Sequence, residues 1–255
     1  MATAPQVITR KVYKPSLNVG QVYARVYNSA GLMLPVGNTL ALALQHAEDV
    51  QKQPDMTRLG GGTYAEVRRV TDVTIEFALA DLNVVNLARA TLSTVTESDA
   101  GTVTDQPIVL NRGGLIPLPH VLLSSVVITK TAAPGTPVPM AGNYEVRPEG
   151  IWIYDDAPGV TDGDVAKLSY SYAGQAVLEA LTTKSAELQL RFAGLNEADD
   201  GKPVVVDIWR ASQGVAKSLG LLTGKFGQLD VAGTLIADQT KTGAGISRFY
   251  RTTMV

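Results

Sequence analysis

Residues 69–92 read RVTDVTIEFALADLNVVNLARATL, and the period of this stretch decides the fold class. Val73, Ile75, Phe77 and Leu79 alternate with Asp72, Thr74, Glu76 and Ala78. A period of two is the signature of a strand with one buried and one wet face. The pattern then changes. Asp81 is placed to cap a helix, after which Leu82, Val85, Ala88 and Leu92 fall on one face. The expectation is a strand followed by one short helix.

The same alternation recurs downstream. In AELQLRFAG (186–194), Leu188, Leu190 and Phe192 point one way and Glu187, Gln189 and Arg191 the other. A turn-forming cluster around Asp200-Gly201 follows, then VVVDIWR (204–210), where Val204, Val206 and Ile208 oppose Val205, Asp207 and Trp209. This predicts a hairpin with a medium loop. GQLDVAGTLIAD (227–238) adds a strand interrupted at Gly233. The fold class is therefore mainly β, a sandwich or barrel with one short α-helix.

Three stretches depart from this. Residues 112–143 concentrate Gly and Pro and precede short strands such as VAKLSYSYAG (165–174), where Ala166, Leu168, Tyr170 and Tyr172 share a face. We read 113–175 as a small β-rich insertion, so the host domain is 1–112 with 176–255. Residues 45–65, QHAEDVQKQPDMTRLGGGTYA, are polar and aperiodic, which predicts a long loop ordered by a partner. The first twenty residues and 238–255 read as extended arms. Loop and arms are expected to order only on assembly, so that deleting 45–62 leaves a folded subunit unable to polymerise.

Composition bounds the function. The chain has 255 residues, 45% of them hydrophobic, enough for a substantial core, and a formal net charge of −2. A protein gripping nucleic acid needs a basic surface instead. Cysteine is absent, which removes disulfides, thiolate metal sites and a cysteine nucleophile. MATAPQVITRKVYKP lacks the apolar run of a signal peptide, and no stretch has the length of a membrane span. The expectation is a soluble protein made in the cytoplasm.

No motif converges on chemistry. GLLTGKFG (220–227) has three residues between its glycines and Phe226 after the lysine, where a phosphate loop needs four and a hydroxyl. NEADDG (196–201) puts Ala198 where a calcium loop needs an oxygen. GGGT (60–63) lacks the flanking strand and helix of a dinucleotide site. His46 and His120 stand in no metal-binding spacing. YEVRPEGIWIYDD (144–156) places Asp155 and Asp156 beside Trp152. Pro148 suits a turn, so the stretch reads as a hairpin whose aspartates face water. No metal, cofactor or catalytic residue is expected. The alternatives are a carbohydrate-active enzyme using a carboxylate pair, or an adhesion or carbohydrate-binding β module.

Four segments in order resemble the major tail tube proteins of long-tailed bacteriophages: LPVGNTLALAL (34–44) leading into TRLGGGTYAEVRRV (57–70), the strand–helix stretch 70–91, GNYEVRPEGIWIYDDAPGVTDGDVAKLSYSYAG (142–174), and residues 191–238. The resemblance implies a structural, non-enzymatic β-sandwich virion subunit of a non-contractile tail, assembled in the host cytoplasm. Homohexameric rings would stack around the tape-measure protein and meet terminator and distal tail proteins. DNA would later pass through the lumen without specific binding and without membrane contact. It implies inter-ring or inter-subunit contacts from the loop and arms, with Asp49, Lys52, Asp55, Arg58, Gly60, Gly61, Gly62, Arg248 and Arg251 as candidates. Asp72, Thr74, Glu76, Glu187, Gln189, Arg191 and Asp207 are candidate lumen-facing residues, mixed in charge with an acidic excess.

Overall fold

The computed structural model describes residues 15–132, 134–222 and 224–255. The chain divides into two compact units, one ending at Thr94 and resuming over Glu179–Val255, the other Val95–Leu178. In chain order the first unit contains β1 (Asn18–Val26), β2 (Leu34–Pro35), β3 (Thr39–Pro54), β4 (Thr63–Leu79) and α1 (Val84–Thr91). The chain leaves along β5 (Thr94–Ser98). The second unit follows with β6 (Gly101–Leu110), β7 (Gly114–Pro117), β8 (Ser124–Lys130), β9 (Pro137–Val138), β10 (Tyr144–Arg147), β11 (Gly150–Ile153) and β12 (Asp164–Tyr172). It returns along β13 (Gln175–Glu179), which pairs with β5. The first unit is completed by β14 (Glu187–Asn196), a 3-10 turn (Glu197–Asp199), β15 (Lys202–Gln213), β16 (Leu229–Leu235) and β17 (Tyr250–Met254).

The first unit is one antiparallel sheet in the order β2-β1-β14-β15-β16-β4-β3. β15 is shared: Val204–Ile208 pair with β17, and Ala211–Gln213 pair with β16. The sheet curls, because side chains from its distant strands enter one core: Val22 and Ala24, Val73 and Ile75, Leu188 and Leu190, Leu229 and Val231. Each fully buried apolar side chain here stabilises the fold by about 1.5–3 kcal/mol. The alternation expected for 72–79, 186–192 and 204–208 holds on the apolar side, with Val73, Ile75, Leu79, Leu188, Leu190 and Ile208 all buried.

The helix caps differently from its sequence reading. Asn83 is the N-cap, accepting from the Asn86 amide at 2.9 Å. Asp81 instead accepts from the Asn38 amide at 2.8 Å, closing the approach to β3. The buried face is Asn86 and Ala90, while Leu82 and Val85 are exposed. A buried asparagine is tolerable because its amide nitrogen donates to the Val36 and Asp81 carbonyls.

The second unit has its own core, with Leu110, Ile128, Ile151, Ile153, Leu168 and Tyr170 almost wholly buried between the β10-β11-β7 and β6-β12-β8-β9 sheets. It extends beyond 113–175 because β6 pairs with nearly the whole of β12. Composition turns Gly- and Pro-rich only after β6, so it marks the wrong boundary. The hairpin reading of 144–156 holds: Tyr144–Arg147 pair with Gly150–Ile153, and Asp155 and Asp156 are exposed just beyond.

Residues 45–65 are not a loop. β3 and β4 pair from Thr39/Leu79 out to Pro54/Thr63, and only 55–62 form the turn. There the Asp55 carboxylate accepts from the Thr57 amide and hydroxyl, and Gly60, Gly61 and Gly62 take positive φ. The reading failed because both faces of the distal strands are wet, so no hydrophobic period exists to detect.

Candidate assembly surface

Strand parity places the candidate polar residues on different walls of the curled sheet, since the apolar residues alternating with them enter one core from both sides. On the β16-β4-β3 wall, Glu76 accepts from the Gln45 side chain at 2.9 Å and pairs with Lys217 at 3.4 Å. Asp72 and Thr74 are half-buried beside it on β4. A groove of about 330 Å³ runs over this wall, floored by Ala41, Ala43 and Ala78 and edged by Glu76, Asp230 and Lys217. Its floor is flat because the outward side chains are alanines.

The β14-β15 wall has a different character. Arg191, Asp207 and Arg251 stand opposite one another across β14, β15 and β17. Asp207 meets Arg191 at 3.4 Å and Arg251 at 3.0 Å, and its side chain is only 8% exposed. Asp207 is thus a buried ion-pair centre and not the wet surface group expected from alternation, which registers side-chain direction but not a covering arginine. Glu187 receives two hydrogen bonds of 2.7 Å from Arg210, and Gln189 accepts from Arg25 at 2.9 Å. Arg210 hydrogen bonding holds the Glu187 carboxyl below the usual carboxylate range. The arginines outnumber the acids here, so the acidic excess anticipated for the lumen-facing set as a whole belongs to the other wall alone.

The C-terminal arm is ordered on its own chain, contrary to expectation. The Trp209 indole N–H donates to the Ser247 carbonyl at 3.0 Å, and the Lys241 ammonium and Arg251 guanidinium lie 4.4 and 5.3 Å from its ring centre. Arg248 donates to the Gln239 side chain at 3.2 Å, and β17 then pairs with β15. Polar and cation–π contacts do what apolar burial does elsewhere, so hydrophobic pattern could not reveal it. Of the first twenty residues, Asn18–Gly20 already belong to β1; those before Pro15 lie outside the described residues.

The β3–β4 hairpin is the most exposed feature. Beyond His46 and Val70 nearly every residue faces solvent on both sides of the ribbon, Asp49, Lys52, Arg58 and the three glycines included. An ionic ladder runs along one face: Lys52 to Glu66 at 3.5 Å, Glu66 to Arg68 at 2.5 Å, and Arg68 to Glu48 at 3.4 Å. Hydrogen bonding from Arg68 holds the Glu66 carboxyl below its ordinary range. Glu66 and Arg68 were missed as site residues because only strand register reveals their cross-strand partners. β3 is also the last strand of the sheet, and at the opposite end β2 covers only Tyr23 and Ala24 of β1. Among the described residues both sheet edges therefore leave unpaired backbone.

Both histidines have local partners. His46 meets the Tyr250 hydroxyl at 3.1 Å; His120 meets that of Tyr170 at 2.8 Å and stacks on Tyr172. Arg147 lies 4.6 Å from the centre of the Trp152 ring, covering the face a sugar would need. Among the described residues no cluster of His, Cys, Asp or Glu could hold a metal, and no helix is long and apolar enough to cross a membrane.

The sequence model of one family, described as protein of unknown function UCP028589, matches residues 15–253, and the chain belongs to that family. No curated protein matches the chain.

Proposed function

We propose that this member of the family is the structural subunit of a phage tail tube. Copies join edge to edge into rings of six, and the rings stack around a tape-measure protein. The tube meets terminator and distal tail proteins at its ends, and its lumen later conducts DNA. The subunit performs no chemistry. The observation that carries the reading is the β3–β4 hairpin. Its strands run 16 and 17 residues, and the outer half leaves the core behind. A two-stranded ribbon alone is marginal in water. One held outside a folded core by its own ladder and ion pairs suits a docking element that a neighbouring subunit completes. The unpaired edges of β1 and β3 support the same reading, since closing a sheet across subunits removes edges that otherwise aggregate.

The β16-β4-β3 wall is the better lumen face. Its alanine floor is smooth, and Asp72, Glu76 and Asp230 outweigh Lys217. Such a wall repels phosphate, whereas the arginines around Asp207 would bind it and retard passage. Electron microscopy of concentrated protein tests the reading: rings or tubes of uniform width are expected. Hydrolytic activity lost on Asp155→Ala or Asp156→Ala would overturn it in favour of a carbohydrate-active enzyme.

A further inference from the structure

Two features of the first unit are each incomplete and complement one another. Between β15 and β16 the described residues of 214–228 form no helix or strand, and three large apolar side chains stand in water: Leu221 at 84%, Leu222 at 99% and Phe226 at 104% relative exposure. Isolated exposed leucines are ordinary on protein surfaces; three such residues within six positions form a patch that marks a contact. The second feature is a groove of about 590 Å³ at the mouth of the curled sheet. It is floored by Val22, Phe192, Val206 and Ile208 and bounded by Leu40 and Leu44. Its rims are the unpaired edges of β1 and β3. None of the described residues of 214–228 is among those that line it.

We propose that the loop carrying Leu221, Leu222 and Phe226 seats in this groove of a second copy. The proposal rests on self-association in the tube reading and names the residues that make it. An apolar knob and an apolar socket on different parts of one surface make a head-to-tail contact. Repetition of that contact closes a ring or propagates a filament, and does not stop at a symmetric dimer. Glycines at 220, 224 and 227 give the loop between its anchored ends a wide choice of backbone conformation.

The absence of cysteine makes the test clean. Leu222→Cys and Leu40→Cys are prepared as separate variants, mixed and oxidised. The expected result is a mixed disulfide dimer in excess over either self-dimer, and a ladder of multimers when one chain carries both substitutions. In parallel, Phe226→Asp, checked for an unchanged circular dichroism spectrum, raises the concentration needed for assembly about tenfold or more. Tubes that form normally from Phe226→Asp, with no excess of the mixed dimer, would place the contact elsewhere and leave the tube reading standing. A double variant that cross-links only within single chains would show the loop filling its own groove and overturn the proposal. Mixed dimers from a protein that never forms rings or tubes would support this contact and refute the tube.

Discussion

Replacing Asp207 with alanine should release the C-terminal strand while leaving the rest of the sheet folded. Asp207 is 8% exposed, but its partners Arg191 and Arg251 are 49% and 63% exposed. Hydrogen bonds to charged groups contribute about 1.5–3 kcal/mol each, and removing one partner of a fully buried pair costs about 3–5 kcal/mol. Neither figure applies in full. Once the carboxylate is gone, both guanidiniums reach water, and exposed pairs are worth only about 0.2–1 kcal/mol. The expected loss is therefore about 1–2 kcal/mol, a factor of about 5–30 in the opening equilibrium. It falls on residues 247–254, because Arg251 belongs to β17, which the described sheet holds only through its ladder to β15, beside the Trp209–Ser247 hydrogen bond, the His46–Tyr250 contact and the packing of Phe249 and Tyr250 on the core. Hydrogen exchange read by mass spectrometry should show faster exchange of 247–254 and an unchanged rate in β4. The double-mutant cycle with Arg251→Ala should return a coupling of about 1 kcal/mol. Unaltered exchange at the C-terminus, or unfolding of the whole unit with a loss well above about 3 kcal/mol, would refute the reasoning.

Replacing residues 49–69 by Asn-Gly, between the paired Glu48 and Val70, should shorten the hairpin without disturbing the core and abolish tubes; particles of normal width in the microscope would sink the docking role. This cut is cleaner than deleting 45–62, which would leave most of β4, Thr63 to Thr74, without its β3 partner. Ile151→Ala removes a wholly buried side chain and should cost about 2–5 kcal/mol, lowering the second unit's unfolding transition alone while the first unit's stays in place. Acid should weaken the first unit. Glu187 is held below its ordinary range by Arg210, and for Asp238 burial raises the pKa but the Thr240 hydroxyl and amide and the Tyr27 hydroxyl outweigh it. Depressed folded values give stability that is present above the unfolded carboxylate range, about 4, and lost as pH falls through the folded values. The urea midpoint should drop over that window, and Glu187→Gln should make the drop shallower.

What could be read in the chain followed the hydrophobic period. Val73, Ile75 and Leu79, or Leu188 and Leu190, announce a strand because water lies on only one side of them. The same rule made Val50, Lys52, Glu66 and Arg68 illegible: they pair as regularly as any strand here, yet both faces are wet. It misled at α1, where Asn86 looks polar but is buried through two backbone carbonyls, while Leu82 and Val85 look apolar but face out. It was blind to β17, held by a buried carboxylate and a ring between cations. The candidate surface suffered most, since Asp72 and Asp207 share a period and a charge and only the curl of the sheet separates them onto different walls.

That separation has a mechanical consequence for any assembly of this chain. A curled sheet with one core can present one wall to a channel and the other to its surroundings, so the two walls are free to carry opposite charge. Here the wall bearing Glu76 and Asp230 has an alanine floor and acids that outweigh Lys217, while the wall bearing Asp207 carries arginines already paired to acids. The pairing matters as much as the sign. Arg191, Arg210 and Arg251 each spend their charge on a carboxylate of the same chain, which lowers their pull on a passing phosphate even were they to face it. Charge reversal separates the two arrangements. If the acidic wall lines the channel, Glu76→Lys should leave ring formation intact and slow DNA passage in a salt-dependent way. Asp207→Lys should loosen the C-terminal strand and leave passage unchanged. The opposite outcome would turn the subunit around in its ring.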